Sequence, residues 1–390
     1  MKTFKIFICV IILCLLTIVL YFTIKDNSLI SNAIKIDSLN TNKHSNTSLK
    51  IVNNSQNTTD KPLALASNHF SQADSPTESS DQPYIVECNL DVKNDPESVT
   101  EFNKEINSQL NISKPDEQLA SILFFNNKLS IHAENKNSRN NALINYFRKS
   151  PDEPLSFHRL LTQCTQASYS YCNQEFYDSI TTIDKDNGSL WLTLASIYIK
   201  ENKIELVQSA LLKASYAKNF NDYYFDTIKL HRNTIEKYAP ESINEQLISG
   251  VGYAAALPLG YSHALEYCNT AQLIKTQELC LQIGLTMEQS SKTRFHTGLG
   301  LSLQRIYHDR QGNQDTVEAL TIKTSQIYDF TLLMKAANLL SYDNHLTEQW
   351  LNIALEYNEA SASDFLVSEA ILLSKNPNYQ PCPISQWPHY

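Results

Sequence analysis

Two short motifs carry residue types that could form a nucleophile. Ser215 and Lys218 stand at the Ser-x-x-Lys spacing of some acyltransferases, and Gly260-Tyr261-Ser262-His263-Ala264 has the outline of a nucleophile elbow with Ala where the second Gly belongs. An elbow needs a strand before it and a sheet beneath it. Leu257-Pro258-Leu259-Gly260 reads instead as a turn into a helix, and Ser215 to Lys218 falls at the end of a helix with no supporting motif. His296, His308, Asp309 and Arg310 gather near one predicted helix whose apolar residues are Leu299, Leu301, Leu303 and Ile306, and they are expected on its solvated face. No Glu-x-x-His pair and no phosphate-binding Gly loop occurs. We therefore assign no catalytic residue, no cofactor-binding residue and no metal ligand, expect no cofactor, and favour a binding role over an enzymatic one.

The cysteines have clearer chemistry. Cys9 and Cys14 lie in an apolar run, which leaves Cys88, Cys164, Cys172, Cys268, Cys280 and Cys382 in the rest of the chain. An even set in an exported domain points to disulfides. Cys164 and Cys172 flank a predicted helix corner, CTQASYSYC, and Cys268 and Cys280 flank another near Ile274 and Lys275, so each pair is expected to staple its own hairpin. Cys88 and Cys382 then pair by elimination. No Cys-x-x-Cys and no His at ligand spacing from a Cys is present, which argues against zinc.

The elements that position these residues read as helices. Only 8 glycines occur, none before Gly188, and only Pro154, Pro240 and Pro258 interrupt Glu153 to Asn376. A β-rich fold of this size needs many more turn residues, so the fold class is all-α: an antiparallel array of helix hairpins, either a solenoid or a compact bundle. The clearest hairpin is Asn187 to Lys218. Trp191, Leu194, Ala195 and Tyr198 fall at i, i+3, i+4 and i+7. After a break at Glu201-Asn202-Lys203, a second stripe runs through Ile204, Val207, Leu211 and Ala214, with Ala210 beside it. Small residues at 195, 210 and 214 let the two axes approach.

This stretch resembles the tetratricopeptide repeat (TPR), with Trp191, Leu194, Ala195, Tyr198, Leu211 and Ala214 on its signature positions over residues 188–221. Val207 replaces the usual Ala, and Asn219 stands where Pro often closes the unit. The likeness covers one repeat, and no second copy of the Trp191 pattern is evident. It implies a groove for a peptide or partner protein. Tyr216, Tyr223 and Tyr224, among 20 tyrosines, cluster just after the hairpin and are the candidate partner-binding residues.

Further helices are expected at Val99–Leu110, Glu117–Asn127, from Ser150 (Ser150 as cap, Pro151 first) to near Cys164, Tyr171–Ile183, Asp222–Tyr238 and Glu241–Leu257. Gly260–Leu273, Thr276–Gln289, Thr293–Gln311, Thr316–Leu340, Leu346–Tyr357 and Ala360–Ser374 follow. Tyr84 to Leu90 reads as extended.

Ahead of these, residues 1–5 form a basic stub. Ile6 to Ile24 is an uncharged run of 19 residues, long enough to span the hydrocarbon core, without a small-x-small cleavage site after it. Lys2 and Lys5 precede it, so the positive-inside rule keeps the N-terminus cytoplasmic. Residues 25–83 are dense in Asn, Ser, Thr, Asp and Gln and are expected to form a disordered tether. The helical domain, 84–390, is then outside the cytoplasm, in a periplasm-like space beside an inner membrane. Net charge is -9 with no basic run, which argues against a nucleic-acid partner. The expected function is a membrane-anchored scaffold binding protein or peptide; the alternative is an exported α-helical enzyme acting on envelope or carbohydrate material.

Overall fold

A computed structural model describes residues 83–89, 96–126, 136–240, 243–328 and 330–382. The apolar run at 6–24 and the polar stretch up to residue 82 lie outside the described residues. Within the described residues no helix is long and apolar enough to cross a membrane. Every regular element among them is a helix; strand-like pairing among the described residues is confined to isolated parallel bridges joining Asn187 to Asn219 and Phe220 to Ser291.

In chain order the helices are α1 (Pro96–Gln109), α2 (Pro115–Ala120), α3 (Lys136–Lys149), α4 (Pro154–Gln166), α5 (Gln174–Asp178) and α6 (Ile180–Ile183). Next come α7 (Gly188–Lys200), α8 (Ile204–Ser215), α9 (Tyr224–Tyr238), α10 (Ile243–Ala255), α11 (Ser262–Thr270) and α12 (Ile274–Ser290). The chain continues with α13 (Arg294–Arg310), α14 (Gln314–Ile327), α15 (Thr331–Leu339), α16 (Asn344–Glu356) and α17 (Glu359–Ser374). Helix α2 widens into a π-helical turn at Ser121–Phe125, which aims five consecutive side chains into the core.

Local capping moves several boundaries from where periodicity places them. Helix α4 starts at Pro154, not at Ser150. The Glu153 carboxylate accepts hydrogen bonds from the Leu155 and Ser156 N–H groups at 3.1 and 2.6 Å, and Pro154 takes the first position, where no N–H is needed. The helix expected at Tyr171–Ile183 is two short ones, because the disulfide corner holds the chain to Asn173, whose side chain caps α5 by accepting from Phe176 N–H at 3.0 Å. Thr316–Leu340 likewise divides into α14 and α15. The Arg294 guanidinium donates to the Ile327 carbonyl at 2.9 Å and lies 5.9 Å from the Phe330 ring centroid, fixing the break between them.

Helices α7 and α8 form a hairpin with a three-residue turn in which Asn202 adopts a left-handed φ of 56°. Trp191, Leu194, Ala195, Tyr198, Leu211 and Ala214 are all buried in it. Ile204 is not: it is 53% exposed, because it opens α8 beyond the point where the two helices meet. Next to it in space α11 packs on α7 and α12 on α8, while α12 pairs with α13. In sequence, α9 and α10 intervene. They pack on each other, and α9 also reaches α2 and α16, so consecutive helices pair while the pairs themselves are not stacked in chain order. Helices α12 and α13 cross closely at Gly284 and Gly300: a Cβ on Gly300 would lie 2.5 Å from the Gly284 carbonyl oxygen.

Two apolar cores result. One surrounds α7 and α8 and takes in α3, α4 and the π turn; the other joins Ile85 and Cys88 to Phe225 and Ile228 of α9 and to α15, α16 and α17.

Trp191 is 5% exposed, donates from Nε1 to the Lys185 carbonyl at 2.7 Å and carries Lys213 Nζ 4.1 Å above its ring. Trp191→Ala should therefore destabilise by about 3–5 kcal/mol; a thermal melt shows this as a large drop in midpoint with the helical signal intact at low temperature.

Candidate functional site

The connections ahead of α7, α9, α13 and α17 come together, and the main chain joins them. Gly188 N–H donates to Asn219 O at 2.8 Å, Phe220 N–H to Ser290 O at 3.0 Å, Lys292 N–H to Phe220 O at 3.0 Å and Glu359 N–H to Lys292 O at 2.8 Å. Side chains reinforce this ladder. The buried Asn187 amide accepts from Ser189 and Asn221 N–H groups, both at 3.1 Å, and donates to Asn221 O at 2.8 Å. Lys292 Nζ donates to the Leu355, Glu356 and Tyr357 carbonyls at 3.0, 3.0 and 2.8 Å, capping α16. The Glu359 carboxylate accepts from Arg294 N–H at 2.7 Å, and burial raises its pKa.

Beside the ladder lies a cluster of titratable groups from four parts of the chain. His296 Nδ1 is 2.8 Å from Thr293 Oγ1, and its Nε2 pairs with the Tyr261 hydroxyl and lies 3.9 Å from Asp222 Oδ2. Arg159 donates to Thr227 Oγ1 at 2.6 Å, while its Nε has no partner; nor does His158 Nδ1. Burial pulls the Arg159 pKa down to about 9, with Asp222 opposing, and lowers both His158 and His296, so both rings are held neutral.

A carboxylate, an imidazole and a phenol in contact can exchange protons, but here they are sealed. His296 is 0% exposed, both its ring nitrogens are engaged, and only the Asp222 side chain, 21% exposed, reaches solvent. The arrangement positions helix ends, with His296 and Tyr261 buried. The expectation of a solvated His296 is thereby corrected: α13 turns this residue inward between α11 and the ladder. His308 is partly exposed, Asp309 and Arg310 are exposed, and Arg310 Nη1 donates to the Ala271 carbonyl at 3.1 Å.

Neither nucleophile motif assembles. Ser215 Oγ donates to the Leu212 carbonyl at 2.8 Å while Lys218 pairs with Asp186 at 2.9 Å, and Gly260 leads into α11 with Ser262 facing solvent. Among the described residues no group of His, Cys, Asp and Glu is arranged to hold a metal ion.

The cysteines join as Cys164–Cys172, Cys268–Cys280 and Cys88–Cys382, with Cα separations of 5.7, 5.6 and 5.3 Å. The candidate tyrosines scatter. Tyr216 is 76% exposed. Tyr223 is buried in a left-handed conformation, φ 58°, and donates to Asp184 Oδ2 at 2.7 Å; burial and that carboxylate keep its hydroxyl protonated. Tyr224 is partly buried, its ring edge-on to Phe225. They form no common surface.

What the domain does hold is a non-helical segment that packs along two of its helices. Residues 83–89 carry no helix and lie along α15 and α17. Val86 N–H donates to Ser374 Oγ at 2.9 Å. Asn338 accepts from Cys88 N–H at 2.7 Å and donates to Cys88 O at 2.9 Å. The Tyr342 hydroxyl donates to Asn89 O at 2.7 Å, and Lys335 pairs with Glu87 at 3.0 Å. Ile85 and Cys88 are buried beneath. The seat of this stretch was not readable from sequence, because Asn338 lies 250 residues away.

The buried histidines set a pH dependence. His231, stacked on Phe125 and edge-on to Phe124, has its pKa lowered by burial to about 4. A base whose folded pKa is depressed stabilises fully above its unfolded value, about 6.5, and loses that contribution as pH falls towards the folded value. The thermal midpoint should fall between about pH 6.5 and 4, and His231→Phe should flatten that fall by about 1.4 kcal/mol per pH unit at most; Asp226 and Glu359, whose pKa values burial raises, act in the opposite sense. No family model, no curated protein and no solved structure matches this chain.

Proposed function

We propose that this chain is a membrane-tethered, extracytoplasmic scaffold whose helical domain binds an extended segment of a partner protein. The observation that carries the reading is the seating of residues 83–89 on α15 and α17, where side chains of the helical platform bond the main chain of a non-helical segment. Main-chain hydrogen bonds would give a bound peptide affinity and side-chain contacts its selectivity, as in other modes of peptide recognition.

Three features support the rest. A framework of three disulfides belongs to an oxidising compartment outside the cytoplasm. The uncharged run at 6–24, preceded by Lys2 and Lys5, fits a single inner-membrane anchor with the helical domain in a periplasm-like space. The packing of α11 on α7 and of α12 on α8 lays further helices along both helices of the Trp191 hairpin, as a TPR-like array would. The exported-enzyme alternative draws on the Asp222–His296–Tyr261 contact, and its burial weighs against it.

Crosslinking in intact membranes, followed by affinity capture of the full chain, tests the reading. A discrete extracytoplasmic protein should be captured, and a truncation ending before residue 84 should not capture it. Recovery of the same proteins by both forms would overturn the proposal.

A further inference from the structure

We infer that the α15–α17 surface is a peptide-binding groove which the chain's own residues 84–89 occupy as a stand-in ligand, latched by the Cys88–Cys382 disulfide. This rests on the proposed function and names the ligand class: an extended peptide with an apolar residue at the Ile85 position, an acid at the Glu87 position and a small residue at the Cys88 position.

The contacts are those of a ligand site. Asn338 uses both ends of its amide on the N–H and C=O of a single residue, reading backbone geometry and not side-chain identity. Ser374 and Tyr342 take further main-chain groups on either side. Selectivity is left to the buried slot under Ile85, 4% exposed, and to Lys335 facing Glu87. The platform also has a core of its own. Leu339, Leu346, Leu351, Leu366 and Ala370 pack among α15, α16 and α17, so the strap adds only Ile85 and Cys88 to the buried apolar set.

The latch is a covalent link between the strap and the segment after α17, in addition to the main chain that carries the strap. Cys382 is partly exposed while Cys88 is buried, so Cys382 is the more exposed residue of the pair. A dithiol reductant opens it in two exchanges: one of its thiolates attacks the Cys382 sulfur and expels the Cys88 thiolate, then its second thiolate displaces Cys382. The dithiol is oxidised to a disulfide, and Cys88 and Cys382 end as thiols. A tethered strap re-docks at millimolar effective concentration, so an incoming peptide competes well only when the strap is also displaced.

The test uses the full chain in detergent and a fluorescent peptide copying residues 83–89 with serine in place of Cys88. The oxidised protein should not bind it. A variant combining Ile85→Asp, Cys88→Ser and Cys382→Ser, which expels the strap, should bind saturably by anisotropy. Adding Asn338→Ala should weaken that binding about tenfold or more, as should Asp at the peptide's isoleucine. A folded triple variant that ignores the peptide, or binds it equally after Asn338→Ala, overturns the inference. Should the triple variant lose its cooperative melt, Cys88→Ser with Cys382→Ser alone is titrated to millimolar peptide. Absence of binding there, or failure of that variant to fold as well, makes the strap a structural element and also overturns the inference. A partner captured from membranes while the peptide fails to bind would leave the proposed function standing and move its site elsewhere.

Discussion

Four helix-start segments in an otherwise helical protein are tied by a run of main-chain hydrogen bonds, and the arrangement of the helices follows from it. Gly188, Phe220, Lys292 and Glu359 each give an N–H to the neighbouring connection. Peptide groups that a buried turn would otherwise leave unpaired are satisfied by another turn. Helices α7, α9, α13 and α17 therefore begin at a common level. The packing accepts no alternative at its centre: Phe220 is fully buried against Gly188, where a Cβ would fall 2.3 Å from the ring.

The polar residues around the ladder serve it. Asn187 folds its amide around residues 189 and 221, the buried His296 joins Thr293 to Tyr261, and Lys292 closes the end of α16. Burial disfavours the charged form of an imidazole, which is why the histidines stay neutral and their contribution to stability is lost on acidification. The disulfides act at the periphery. The bridges with sequence separations of 8 and 12 close single corners, where the chain-entropy argument gives about 2–3 kcal/mol each, and the bridge of separation 294 ties the strap to the segment after α17.

Much of this was legible in the sequence for local reasons. The Trp191 hairpin was, because its stripe and its turn are contiguous, and so was the all-helical class, because glycine and proline are scarce. Pairing Cys164 with Cys172 needed only a corner between them. The rest depends on distant residues. Nothing local marks Phe220 as the residue the ladder closes on, or Asn338 as the partner of Cys88. Capping by Glu153 overrode the Ser150-Pro151 signal, and contacts from Arg294 cut one predicted helix into two. The adjacent tyrosines looked like a surface, yet a single left-handed residue at Tyr223 turns one ring into the core and leaves Tyr216 outside. Histidine at 296 read as polar and therefore solvated, because the partners that let it be buried, Tyr261 and Asp222, lie on other elements.

Hydrogen exchange at the ladder amides tests the central claim most directly. If the ladder organises the fold, the N–H groups of Gly188, Phe220, Lys292 and Glu359, all outside or at the ends of helices, should exchange as slowly as helix interiors and should lose protection together in Asn187→Ala. Fast, independent exchange at these four positions, with the helices still protected, would contradict it.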